Sequence, residues 1–488
     1  MQKEYLYLGD KSVTNDRYLL AVFKIIPEKG LTLEDAASEI AAESSTGSNL
    51  HVGSATHFSL ELNARVYKID EKNNLVYIAY PWEIFDSDGN VQNILTFIVG
   101  NVMGMSEVKA CRLLDVYFPP AMLVHYDGPR YTIDDMRNYL QIFDSPILGT
   151  IIKPKIGLTP NEYAELCYDF WVGGGMFVKN DEPQANQHFS PFTQMVDSVR
   201  WAMDKAENET GHAKVHSFNI SAADYDTMIR RAEYIISKMK PGSFAFLVDG
   251  ITAGWTAVQT IRKRYPDVFL HFHRAGHGAF TREESPFGMT VPVMTMFARL
   301  AGASGIHTGT AGIGKMAGTA DIDILAARSA LKIYQEGPFF EQTWSKIPVQ
   351  DKDLVAAIDR EKGQWNMPIR KFVQERSQVV HIDTDDHDWR IVRKMAPIIS
   401  GGLNPVLLPE FLEVMGTIDF ITTMGGGIHS HPMGTQSGAK AVVQAYEAWK
   451  NNVTLEDYAK DHQELKVAID FYNKNGTQAH RLKGNEQV

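Results

Sequence analysis

A lysine and two acids set close together carry the first chemical signal in the sequence. In MFVKNDEPQANQ (176–187) the apolar run Met176-Phe177-Val178 leads into Lys179, and Asp181 and Glu182 follow almost at once. Side chains alternate along a strand, so Lys179 and Asp181 share a face, and Glu182 joins them where a strand turns into its loop. Two chemistries fit. One is an ion pair between the ammonium and the carboxylates. The other is addition of carbon dioxide to the neutral amine, which changes the side chain from a cation to an anion. Freeing the amine costs roughly 3–4 kcal/mol near neutral pH from a reference pKa of about 10.4. Burial and the nearby cations Lys153 and Lys155 lower that cost by disfavouring the ammonium. The resulting three hard oxygen donors suit Mg²⁺, which keeps positions open for substrate and water.

Further segments extend the set. In TIIKPK, Lys153 and Lys155 flank a proline. They read as rim lysines or, beside the carboxylates, as ammonium groups that donate and accept protons. HFHRAGH places His271, His273 and His277 around Arg274. A zinc site of the H-x-H kind is one reading, but Arg274 is a cation unsuited to a metal's ligand shell. Arg274 with His307 suits a phosphate, and His273 suits proton exchange with a substrate. GTAGIGKM (309–316) has the spacing of a nucleotide phosphate loop but ends in Met316, without the hydroxyl that would hold magnesium. A glycine-rich lid carrying Lys315 fits better. IISGG, with Ser400, Gly401 and Gly402, and TMGGG, with Gly425 and Gly426, offer backbone N–H groups to a second phosphate, simple tight turns being the alternative. Two phosphate subsites imply a substrate with a phosphate at each end. DTDDHD (383–388) reads as solvated surface charge, or less readily as a metal site.

Eight short apolar segments position these groups: 148–155, 176–182, 214–220, 243–250, 268–277, 304–310, 397–402 and 419–427. Amphipathic helical patterns such as NEYAELCYDFWVGG and DYDTMIRRAEYIISKM lie between them. Eight strand–helix repeats predict a (β/α)8 TIM barrel of the α/β class, whose strand carboxyl ends carry the chemistry. The polar residues fall at those ends. The first 125 residues mix both signals. RVYKIDEKNNLVYIAYP predicts two strands around an Asn-Asn turn, and TLEDAASEIAAES a helix with a Thr cap. The expected organisation is an α+β domain over 1–125, a barrel over 126–460, an insertion over 345–391 between barrel strands six and seven, and a carboxyl-terminal helix and tail over 461–488.

The chain has 488 residues, 44% of them hydrophobic, and a formal net charge of −11. That balance disfavours nucleic acid as a partner. Cys111 and Cys167 have no metal-type spacing and are too few for a disulfide framework. The opening MQKEYLYLGD lacks the apolar core of a signal peptide, and no run of eighteen apolar residues occurs. The expectation is a cytoplasmic protein with no membrane partner.

GTIIKPKIGL, FVKNDEPQANQ, HFHRAGHGA, SGIHTGT with GIGKM, PIISGG and AAESSTG together resemble the large subunit of ribulose-1,5-bisphosphate carboxylase/oxygenase, over nearly the whole chain outside the insertion. The pattern is most similar to the form II and archaeal II/III enzymes, which lack small subunits. The resemblance implies a carboxylase that adds carbon dioxide and water to ribulose 1,5-bisphosphate, giving two 3-phosphoglycerates, with an oxygenase side reaction. In the archaeal group the substrate comes from nucleoside monophosphate breakdown. The resemblance makes Lys179 an N6-carboxylysine that binds Mg²⁺ with Asp181 and Glu182. It makes Lys153 the acid/base lysine, Lys155 its substrate-facing neighbour, His273 a proton acceptor and Lys315 the lid lysine. Arg274, His307, Ser400, Gly401, Gly402, Gly425 and Gly426 become substrate ligands. Glu43, Ser48, Asn49 and Asn101 become residues that complete a partner subunit's site, so a homodimer at least is implied, and the insertion suggests a ring of dimers. Ser48 stands where threonine is commoner and Met176 where aspartate is frequent. The rivals are a rubisco-like enolase or isomerase, a carbamyl-lysine metal-dependent hydrolase, which needs H-x-H where this chain has KPK, and a non-enzymatic assembly protein.

Overall fold

Two sheets organise the chain in the computed structural model, which describes residues 5–13, 17–47, 52–316, 318–332, 367–369, 371 and 392–475. The first is built from β1 (Tyr18–Pro27), β2 (Arg65–Asp70), β3 (Leu75–Pro81) and β4 (Val108–Tyr117). β2 and β3 are antiparallel around the Asn-Asn turn, where Asn74 takes φ 56°, a conformation that asparagine tolerates better than most residues. The Thr-capped helix forms over Leu33–Glu43, with Thr32 and Asp35 closing a capping box.

The second sheet is the barrel. Its strands are β5 (Gly149–Ile151), β6 (Phe177–Lys179), β7 (Val215–Asn219), β8 (Phe244–Asp249), β9 (Phe269–His273), β11 (Gly305–His307), β12 (Ala396–Ile399) and β13 (Ile421–Thr422). All eight predicted segments contribute a strand, and the order β13-β12-β11-β9-β8-β7-β6-β5 is parallel throughout. The ring closes where Ile147 pairs with Ile421 and the Thr422 N–H donates to the Ile147 carbonyl at 2.9 Å. Both quoted helices form, over Pro160–Val172 and Tyr225–Lys238.

Alternation along the strands explains the layering inside. Phe177, Val215, Phe269, Ile398 and Ile421 fill one buried apolar layer with Ile133, Met136 and Leu140 of the helix Ile133–Leu140. Two residues further along β6, β7 and β9 stand Lys179, Ser217 and His271, on the same face as that layer. The polar layer therefore rests on a packed floor.

One element was not legible. β10 (Phe287–Met289) lies between barrel strands in sequence but pairs in parallel with β4, giving the first sheet a fifth strand. Arg112 of β4 holds that segment by donating to the carbonyls of Ser285 (2.9 Å) and of Phe280, Phe287, Thr281 and Met289 (3.4–3.5 Å). Three residues, one of them Gly288 at φ 132°, give no alternation signal. The sheet is therefore not confined to residues 1–125. Most of the insertion at 345–391, including DTDDHD, lies outside the described residues, as do Ser48 and Asn49. A helix over Gln463–Asn475 ends the described chain.

Candidate active site

Lys179 is fully buried, and its Nζ has no hydrogen-bond partner. The ion pair with its two acids, one of the two chemistries that fit the motif, is not formed. Lys153 donates instead to Asp181 Oδ2, and Lys155 donates to Glu182 Oε1 at 3.1 Å. A buried ammonium left without hydrogen-bond partners is costly. Burial pulls the Lys179 amine down from 10.5 to about 8, against the opposing pull of Asp181, Glu182 and Asp249. The side chain is thus close to the neutral form that reacts with carbon dioxide. The acids beside it diverge. Burial and the neighbouring Glu182 raise Asp181. Burial would raise Glu182 too, but Asp181 and His273 hold it well below the usual carboxylate range.

These residues fit a carbamate-held divalent cation. Among the described residues no three His, Cys, Asp or Glu side chains converge as a metal site, so Asp181 and Glu182 make a hard-cation site only with a third anionic donor. The orphaned Lys179 Nζ stands where carbamylation would supply it. The engagement of His271 by Ser217 and His307 disfavours the zinc H-x-H reading.

A histidine group faces the acids. His273 Nε2 lies 3.5 Å from Glu182 Oε2, and its Nδ1 lies 3.4 Å from Asp249 Oδ1. Burial and the charge of Lys179 lower His273. His307 places its Nδ1 2.9 Å from Ser400 Oγ. Arg274 is buried, burial lowers it to about 10, and its Nη1 has no partner. Its counter-charge is Asp323, itself raised to about 6 by burial and bonded by the Ala311 N–H at 2.8 Å. An unsatisfied guanidinium N–H is an open anion donor.

The lid segment lies on the end of β12. The Lys315 N–H donates to the Gly401 carbonyl at 2.8 Å, and the Lys315 side chain is exposed. A Cβ on Gly401 would meet Met316 Cγ at 2.3 Å, and one on Gly402 the Lys315 backbone nitrogen at 2.8 Å. These glycines are required for close approach of the lid. Gly425 likewise leaves room for Lys153, whose Cε would lie 3.0 Å from a Cβ there. In the amino-terminal domain Asn101 Nδ2 donates to Glu43 Oε1 at 2.9 Å, which brings two predicted site residues together.

Three residues not singled out from the sequence belong to this geometry. Asp249 ends β8 beside His273. Asn180 and Asn219 hold the acid loop from behind. Asn219 Nδ2 donates to the Glu182 carbonyl at 2.6 Å, and the Asn219 N–H donates to Asn180 Oδ1 at 3.1 Å. Their position at strand carboxyl ends was the available signal.

Known proteins carry the same architecture. The family profile described as the ribulose bisphosphate carboxylase large chain, catalytic domain, matches residues 132–357 and 359–472, and that of its N-terminal domain matches residues 7–122. The ribulose bisphosphate carboxylase of Rhodopseudomonas palustris strain HaA2 is 39% identical over 471 residues, covering 94% of this chain and 92% of that protein. The Rhodobacter capsulatus protein of the same name is 38% identical, with the same shares. The dimeric archaeal Rubisco of Hyperthermus butylicus superposes with a TM-score of 0.79 at 32% identity, covering 96% of this chain and 98% of that one. The octameric Pyrococcus horikoshii enzyme gives 0.80 at 29%, covering 96% of each. With the barrel, the buried lysine at its mouth and these likenesses in agreement, the chain belongs to the ribulose bisphosphate carboxylase large-chain family.

Proposed function

We propose that the chain carboxylates ribulose 1,5-bisphosphate through Lys179 in its carbamylated form, with Asp181 and Glu182 as its fellow Mg²⁺ ligands. The observation that carries this reading is the buried, unpartnered Lys179 amine, lowered to about 8. Bound Mg²⁺ would supply Lewis-acid polarisation of the substrate ketone and steady the charge that develops there. Carbamylated Lys179 takes the proton from C3, and the resulting enediolate attacks carbon dioxide through C2. Lys315 closes over the new carboxylate, placing a cation where negative charge appears. Water adds, the C2–C3 bond breaks, and Lys153 protonates the departing carbanion, so that two 3-phosphoglycerates leave. Oxygen attacking the same enediolate gives the oxygenase side reaction.

Arg274 and Ser400 receive one phosphate end of the substrate and its adjacent oxygens, and His307, whose Nδ1 lies 2.9 Å from Ser400 Oγ, acts there through the serine. Gly401, Gly402, Gly425 and Gly426 receive the other, with Lys155 facing the substrate between them. His273 exchanges protons with the substrate hydroxyls. Glu43 and Asn101, with Ser48 and Asn49, complete the site of a partner subunit, so the working unit is at least a dimer. The rival reading is a rubisco-like enolase or isomerase. The presence of Lys315, together with all three metal-ligand positions, supports carboxylation.

Incubation with ribulose bisphosphate, Mg²⁺ and labelled bicarbonate separates the two. Carboxylation places label in 3-phosphoglycerate, whereas an isomerase returns an unlabelled bisphosphate.

A further inference from the structure

His271 and Ser217 have no part in the chemistry above, yet they are buried in the polar layer of the barrel. Ser217 Oγ lies 3.3 Å from His271 Nδ1, His271 Nε2 lies 3.0 Å from His307 Nε2, and His307 Nδ1 lies 2.9 Å from Ser400 Oγ. The four side chains, from β7, β9, β11 and the end of β12, form one unbroken chain across the barrel mouth. Ser217 and both histidines are buried, whereas Ser400 at its end is partly exposed.

Hydrogen-bond bookkeeping fixes the direction of this chain. Burial keeps both imidazoles far below their usual pKa, so each carries one ring proton. Two neutral rings meeting through Nε2 need one donor and one acceptor. The Ser217 hydroxyl has no other partner among the described residues, and a buried O–H left undonated is costly. It therefore donates to His271 Nδ1. That places the His271 proton on Nε2, which donates to His307 Nε2. His307 must then carry its proton on Nδ1 and donate to Ser400 Oγ. With its oxygen already accepting, Ser400 turns its own O–H toward the cleft. The opposite polarity would consume the Ser400 proton within the protein and leave the buried Ser217 O–H without an acceptor among the described residues. Both ring nitrogens of His307 are used inside the protein, so the group presented at this end of the chain is the serine hydroxyl.

We propose that Ser217 and His271 are positioning residues that fix the His307 tautomer and so make Ser400 a hydrogen-bond donor to an oxygen of the bisphosphate substrate. This rests on the reading of Ser400 as a substrate ligand. A preset donor loses no reorganisation free energy when the ligand arrives, whereas a serine free to point either way would.

A neutron diffraction map of the deuterium-exchanged, unaltered enzyme tests the relay without reference to turnover. The expected map has deuterium on His271 Nε2 and His307 Nδ1, and the Ser400 deuterium directed away from His307. Deuterium on His307 Nε2, or a Ser217 hydroxyl aimed away from His271, overturns the proposal even if the enzyme fixes carbon dioxide. An enzyme that fixes none, with the relay map intact, would instead remove the functional reading. Kinetics add a second test. His271→Phe lowers kcat/KM for ribulose bisphosphate at least tenfold, and His271→Gln, whose amide can donate in place of Nε2–H, recovers most of that loss. The His271→Phe/Ser400→Ala pair falls no further than Ser400→Ala alone, since the two act as one unit. Additive losses, as a purely structural role would give, overturn it.

Discussion

At the scale of single residues, burial decides the chemistry of Lys179. A reference lysine amine is almost wholly protonated at pH 8, and an amine at about 8 is half free, which removes about 3 kcal/mol from the cost of carbamylation. The depressed value means that the free-amine fraction is lost as pH falls through about 8. At fixed dissolved carbon dioxide, the initial rate of carbamate formation should rise about fivefold from pH 7 to pH 8 and less than about twofold from pH 8 to pH 9. Rapid-mixing trapping of labelled carbon dioxide measures this. A rate still rising tenfold per unit above pH 8 would describe an ordinary exposed lysine. Arg274 makes the opposite use of burial, keeping a charge and leaving its Nη1 without a partner. Its loss in Arg274→Ala removes a charge-assisted hydrogen bond worth about 1.5–3 kcal/mol. Steady-state kinetics should show kcat/KM falling about 10- to 150-fold, mainly through KM. Unchanged KM would show that the open N–H does not meet the substrate.

At the scale of elements, the acids depend on a loop clamped to the end of β7. Asn180 points away from the Lys179 face, and with Asn219 it ties the 180–182 backbone to β7. Asn219→Ala leaves the Glu182 carbonyl without this donor, at about 1–3 kcal/mol. The measured outcome should be a melting temperature lower by about 1–3 °C and a Mg²⁺ requirement curve shifted to higher metal concentration. A variant with wild-type metal dependence would remove Asn219 from the site. The lid has its own constraint. Gly402 sits at φ 100° with the Lys315 backbone close by. Gly402→Ala should therefore cost about 1–3 kcal/mol in this segment and lower kcat about tenfold or more while circular dichroism is kept. The strands were readable because each couples an apolar run to a polar end, as VFLHFHRAGH does. The clamp was not readable, since an asparagine at a strand end looks the same whether it faces a ligand, solvent or a neighbouring loop.

At the scale of the whole molecule, sequence periodicity marked the barrel and its reactive rim, while contacts distant in sequence stayed hidden. β10 joins the amino-terminal sheet through 287–289 and the carbonyl-binding Arg112, and no local pattern announces a strand that pairs so far away. The pairing of the site's cations was hidden too: the motif put Lys179 with its acids, and the fold gives those acids to Lys153 and Lys155. If Asn101 serves a partner's site, Lys179→Ala and Asn101→Ala are each inactive alone but complement when co-folded. Random pairing into two-fold dimers restores about a quarter of wild-type fixation; no restoration would place Asn101 and Lys179 in the same subunit's site. The central claim remains the conversion of one buried amine into an anion. It is tested most directly by carbon-13 NMR of the enzyme with labelled bicarbonate and Mg²⁺, run beside a fixation assay. The account predicts a protein carbamate resonance in the wild type that disappears, with fixation, in Lys179→Ala. A wild-type enzyme that fixes carbon dioxide without any such resonance would contradict it.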